Sequence, residues 1–121
     1  MKILVLESSG LVASVAVVTE EKLIGEYTTN FKKTHSQTLL PIMDTLLKMI
    51  GIPVQEMDAI AVSGGPGSFT GLRIGSATAK GLGLALSIPI ISVPTVDAIA
   101  YNLCGTDAVV CPLMDARRNQ T

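Results

Sequence analysis

The chemically richest segment of this chain is Ser63-Gly64-Gly65-Pro66-Gly67-Ser68-Phe69-Thr70-Gly71-Leu72-Arg73. Glycines at this density permit positive φ and close backbone approach, and where such a loop joins a strand to a helix, successive N–H groups form an anion-binding concavity. Phosphate binding through Gly64, Gly65, Gly67 and Ser68 is therefore the first reading. Its spacing departs from the established phosphate loops. A P-loop requires Lys after its last glycine, whereas Leu72-Arg73 follow Gly71. No G-x-G-x-x-G with an acid about twenty residues on is present either. The alternative is a tight strand-to-helix turn whose glycines serve packing. Ser8 and Ser9 pose the same choice, as phosphate donors or as turn residues. His35 is the only histidine, and Cys104 and Cys111 stand seven apart with no C-x-x-C or Cys/His spacing. A catalytic metal commonly takes three protein ligands, so no catalytic or metal constellation can be assembled from these residues. Both cysteines read as small buried hydrophobes.

The elements that must position these groups follow from composition and period. The 121 residues are 48% hydrophobic and only 16% charged, with a formal net charge of -1. This excludes a disordered chain and a cationic nucleic-acid grip. The longest uncharged stretch, residues 81–96, is broken by Pro89 and Pro94 and falls short of the roughly 20 apolar residues that span a bilayer. Glu7 interrupts the only leader-like run, so a cytoplasmic location is expected. Residues 2–7, 11–18 and 22–29 read as an antiparallel meander, 36–50 as a helix closed by Gly51, and 57–63 as a buried strand. After the glycine loop come a helix over 71–86, a strand over 89–93, a helix over 95–103 with Thr95 as N-cap, and a last strand over 108–113. The order βββαβα, continued by a strand, a helix and a strand, predicts an α/β fold with a mixed sheet flanked by helices. Residues 1–113 form one domain in this reading, and 114–121 begin a linker to a second.

The first two helices carry more apolar surface than one sheet requires. At 100° per residue, Gln37, Thr38, Asp44, Thr45 and Lys48 share an arc of roughly 120°, while the apolar residues fill about 180°. A stripe of little more than about 100° suffices to cover a sheet. The second helix aligns Gly71, Gly75, Ala79 and Gly83 on one ridge and Ala77, Gly81 and Ala85 on another. Each interior glycine costs roughly 0.5–1 kcal/mol relative to Ala, which close packing must offset. Packing within the chain explains one ridge. Two ridges beside an over-wide helix predict a helical interface with another chain, through Leu39, Leu40, Met43, Leu46, Leu47 and Ile50 of the first helix and Gly71, Arg73, Ile74, Gly75, Thr78 and Ala79 of the second.

The run Ser63-Gly-Gly-Pro-Gly-Ser-Phe-Thr-Gly-Leu-Arg-Ile-Gly75 resembles the signature of the TsaB (also YeaZ) family, bacterial proteins that help make the threonylcarbamoyladenosine modification of tRNA. Lys2-Ile-Leu-Val-Leu-Glu-Ser-Ser9, Thr34-His-Ser-Gln-Thr-Leu-Leu-Pro41, Pro94-Thr-Val-Asp97 and Met114-Asp-Ala-Arg117 extend the likeness along essentially the whole chain. The resemblance implies an actin-like ATPase (ASKHA) fold with a ribonuclease-H-like sheet, followed by a second domain of comparable size. It implies a non-catalytic scaffold that activates TsaD in threonylcarbamoyl transfer to the adenosine beside the anticodon. The first two helices would form a bundle with TsaD, or with a second copy of this chain. ATP and metal would sit on TsaD, a TsaE-type ATPase would join a larger complex, and tRNA would be met only through that complex. TsaD holds its metal with a His-x-x-x-His pair. Here Leu39 stands four residues after His35, which also argues against a glycoprotease-like metalloenzyme. Glu7 replaces the family's usual Asp, at the position where kinases of this fold approach phosphates and Mg²⁺. It reads either as such an acid or as a solvated strand end. The rival function is accordingly a nucleotide-binding phosphotransferase of the same fold, with Glu7 and the 64–71 loop at the phosphates.

Overall fold

In the computed structural model, which describes residues 1–30 and 35–114, the chain opens with three strands: β1 (Ile3–Glu7), β2 (Ala13–Val18) and β3 (Leu23–Thr29). They pair antiparallel in sequence, as their apolar and β-branched runs and short turns predict. β4 (Ala59–Ser63) then adds parallel to β1, and β5 (Ile90–Val93) parallel to β4, for a sheet order of β3-β2-β1-β4-β5.

Alternation decides which face is covered. Leu4 and Leu6 of β1 lie opposite Val17 and Val15 of β2 and beside Ile60 and Val62 of β4, so all six side chains share one face. The helices α1 (His35–Ile50) and α2 (Phe69–Leu86) pack on that face, α1 over β2 and β3, α2 over β4. Leu39, Ile42, Leu46 and Leu47 of α1 and Ala79 of α2 complete the core. α1 ends where Gly51 takes φ 73° and the N–H groups of Gly51 and Ile52 both donate to the Leu47 carbonyl. On its outer face Lys48 pairs with Asp44 at 2.9 Å, both largely exposed. Lys48→Ala should therefore change stability by less than about 0.5 kcal/mol, read as an unmoved urea midpoint.

The C-terminal third differs from expectation in three respects. Residues 108–113 form no strand: they leave the sheet, with Val109 98% exposed. An apolar run becomes a strand only against a ladder partner, and among the described residues the sheet ends at β5. Cys104 and Cys111 are exposed rather than buried, because Cys104 falls in a turn over 102–105 and Cys111 in this unpaired stretch. The third helix, α3 (Thr95–Tyr101), stops earlier than predicted, and Pro94 rather than Thr95 stands at its N-cap. The bond that anchors Thr95 is its backbone N–H to the Gly65 carbonyl, 2.8 Å, which draws the residue into the interior instead of folding its hydroxyl over the helix start. Among the described residues no helix is long and apolar enough to cross a membrane.

Candidate functional site

Because β1 and β4 are parallel neighbours, Glu7 and Ser63 leave the sheet side by side. One Glu7 carboxylate oxygen accepts from the Ser9 N–H at 2.7 Å and from the Ser9 hydroxyl. The other accepts from the Ser63 hydroxyl. The buried Ser8 hydroxyl donates to the Gly71 carbonyl at 2.7 Å, tying the β1–β2 turn to the first turn of α2.

The glycine loop closes over the same strand ends. The Ser68 N–H donates to the Ser9 carbonyl at 2.7 Å, and the Ser68 hydroxyl caps α2 by accepting from the Gly71 N–H at 3.2 Å. On the other side, Gly64 N–H donates to the Val93 carbonyl at 2.8 Å. Gly65 sits at φ 105°, a conformation L side chains rarely adopt, and so aims its carbonyl at the Thr95 N–H. A Cβ on Gly67 would stand 2.6 Å from the Ser9 carbonyl oxygen, so a side chain there would push the loop off β1.

The Ser8, Ser9 and Ser63 hydroxyls and the Ser9, Gly64 and Ser68 N–H groups thus donate within the chain. Glu7, Ser8, Ser9, Gly64, Gly65, Gly67 and Ser68 lie together at the ends of β1 and β4, in a polar knot that ties α2 to the sheet. Glu7 acts as an acceptor for three donors rather than as an open ligand. One group is left over: the Thr95 hydroxyl is buried with no partner among the described residues. Ser63 and Thr95 had no signal as members of this cluster, since pairing across 56 residues is a product of the parallel register. No group of three or more His, Cys, Asp and Glu able to hold a metal ion occurs among the described residues. The His35 side chain, with those of Ser36, Gln37 and Thr38, lies outside the described residues, as do Thr34 and the 115–121 segment.

Residues 22–121 match the family described as TsaD: tRNA N6-adenosine threonylcarbamoyltransferase. Over 120 residues the chain is 38% identical to the tRNA threonylcarbamoyladenosine biosynthesis protein TsaB of Bacillus subtilis (strain 168), covering 99% of this chain and 52% of that protein. The protein of the same name from Haemophilus influenzae is 34% identical, with 99% and 51% covered. YeaZ from Pseudomonas aeruginosa superposes with a TM-score of 0.78 at 33% identity, over 84% of this chain and 49% of that one.

The chain belongs to the TsaB/YeaZ family.

It has the family's ASKHA-like mixed sheet, and it spans about half the length of the TsaB and YeaZ relatives it matches. Against the interface expected from the family, the helices divide. Leu39, Leu46 and Leu47 are core residues, Leu39 only 1% exposed, because α1 lies flat across β2 and β3 and its central stripe must fill the sheet. Gly71, Gly75 and Ala79 also face inward: a Cβ on Gly75 would meet the Ser8 hydroxyl at 2.5 Å and Val62 at 3.4 Å. Those six residues therefore serve the fold of this chain. Leu40 stays 49% exposed, and Met43, Ile50, Ile74 and Thr78 are half-buried. Arg73 is exposed on another side of α2, 5.3 Å over the Phe69 ring. The second ridge, Ala77, Gly81 and Ala85, is open, and a Cβ on Gly81 would meet nothing within 4 Å.

Proposed function

We propose that this chain is a scaffold subunit in tRNA threonylcarbamoyladenosine biosynthesis. It docks a TsaD-type protein through the outer surfaces of α1 and α2 and leaves threonylcarbamoyl transfer, with its ATP and metal, to that partner. The observation that carries this reading is the open ridge on α2. Gly81 disfavours an isolated helix by roughly 0.5–1 kcal/mol, and no described residue comes within 4 Å of a Cβ placed there. The small-residue ridge of α2, with exposed Leu40 and half-exposed Met43 on the α1 helix that touches α2, offers surface on which a second helix pair can approach closely. The closed knot around Glu7 supports the same view, since phosphotransfer there would first require Glu7 to be released from Ser9 and Ser63. The names of the Bacillus and Haemophilus relatives supply the pathway. A net charge of -1 fits a subunit that meets tRNA only through the complex, in the cytoplasm, with a TsaE-type ATPase in the larger assembly. Residues 1–113 then act as the N-terminal domain of a chain whose second domain follows.

Mixing the full-length protein with its TsaD counterpart should give a complex by size-exclusion chromatography and calorimetry. Leu40→Asp should weaken that complex at least tenfold without lowering the melting temperature, as expected for a half-exposed apolar contact turned into a buried charge. Gly81→Ala should stabilise the free protein by about 0.5–1 kcal/mol and weaken the complex. Absence of any complex with TsaD sinks the scaffold reading. A stable dimer of this chain that ignores TsaD would replace it with a homodimeric module, and tight Mg·ATP binding lost in Glu7→Ala would replace it with the phosphotransferase.

A further inference from the structure

The flank of α2 that faces β5 borders an open cleft of about 750 Å³, with Ala77 at its junction with the open ridge. Its floor is apolar, from Val62, Leu72 and Ile90, and that volume lies within the roughly 300–1,000 Å³ of small-molecule sites. Arg73 and Lys80, seven residues apart and so two turns along the same side of the helix, stand on its wall. No carboxylate lines the cleft, and neither cation makes an ion pair among the described residues. In a chain whose charges otherwise nearly balance, two unneutralised cations are gathered beside an apolar floor. The Ser76 and Ser92 hydroxyls add donors, and neither is engaged by another described residue. Phe69 at the rim carries the Arg73 guanidinium over its ring, which holds that fork in place while leaving its edge free to bind.

We infer that the cleft between α2 and the β4–β5 edge binds small anions that carry an apolar or aromatic body. The body lies on Leu72 and Ile90, and the anionic head bridges Arg73 and Lys80. The cleft shares Ser63 and Gly64 with the knot around Glu7 and Ala77 with the ridge proposed for TsaD, and its two cations, Arg73 and Lys80, belong to neither.

The test is an amide-resolved NMR titration of the full-length protein with 1-naphthyl phosphate, which has both parts, against 1-naphthol and inorganic phosphate, which have one each. The expected result is saturable shifts centred on Leu72, Arg73, Ser76, Lys80 and Ile90, with each partial probe at least tenfold weaker. Binding should fall as ionic strength rises. Arg73→Gln combined with Lys80→Gln should reduce affinity for 1-naphthyl phosphate roughly tenfold or more, since each charge-assisted contact is worth about a factor of ten. Both side chains are exposed, so the variant should keep the wild-type melting temperature. Four results each overturn the inference: no saturable shift, shifts centred on Ser9, Gly65 and Ser68, equal affinity for 1-naphthol, or unchanged affinity in the double variant.

Discussion

Gly75→Val should lower the stability of the chain by about 3 kcal/mol or more, seen as a large fall in the urea midpoint with little change in slope. Gly75 lies where α2 crosses the ends of β1 and β4. Its missing side chain is what lets the helix backbone descend to the Ser8 hydroxyl, 2.5 Å from the position of a Cβ, and to Val62 at 3.4 Å. Ser8 has little room to yield, because its hydroxyl is buried and bonded to the Gly71 carbonyl one turn earlier on the same helix. Valine must therefore either lift α2 off the sheet or break that bond. Overpacking alone costs about 1–3 kcal/mol, and a buried hydroxyl and carbonyl left unpaired add about 1–3 more. The mechanism is checked by a cycle with Gly75→Ala, which places only the Cβ. In a Ser8→Ala background the obstructing oxygen is gone and the nearest remaining atoms are at 3.4 Å and 3.8 Å, so most of the loss should disappear. Additive losses in the two single variants would show that α2 is not seated through Ser8.

Glu7→Ala should cost about 2–3 kcal/mol, more than loss of a solvated acid would. The substitution removes the acceptor for the Ser9 N–H, the Ser9 hydroxyl and the Ser63 hydroxyl together, in a part-buried position where water replaces them poorly. The β1–β2 turn and the end of β4 should loosen as a unit, so amide hydrogen exchange should accelerate at Ser9 and then at Ser68, whose N–H is bound to the Ser9 carbonyl. Glu7→Gln retains one carbonyl oxygen while presenting an amide to hydroxyls that can rotate to accept, and should lose about half as much. A protein in which Glu7 served only to hold Mg²⁺ at a nucleotide would respond oppositely, with activity lost and folding stability unchanged. Unaltered urea midpoints for both variants would therefore remove the structural role assigned to Glu7.

The sequence by itself determined the local elements and the family. The apolar run over 2–7, the β-branched run over 11–18 and the alternation over 22–29 specify three strands, the helical period of 36–50 and Gly51 specify α1 and its end, and the loop from Ser63 to Gly75 carries the TsaB/YeaZ likeness. Each signal is local: a period, a cap or a motif within about twenty residues. Tertiary structure decided what those elements meet. The two small-residue ridges of α2 look alike in sequence, yet only Gly71, Gly75, Ala79 and Gly83 turn to the sheet. The stretch over 108–113 is as apolar as β5 but has no pairing neighbour among the described residues, so hydrophobicity alone leaves it outside the sheet and exposes Cys111 with it. Glu7 and Ser63 become partners only because Leu6 aligns with Val62 across a parallel ladder, and Arg73 and Lys80 become a cleft wall only because β5 lies beside α2. Periodicity tells a residue which side of its own element it occupies. Which surface that side faces is set by the collective packing of strands and helices far apart in the chain, an energy that no short window contains.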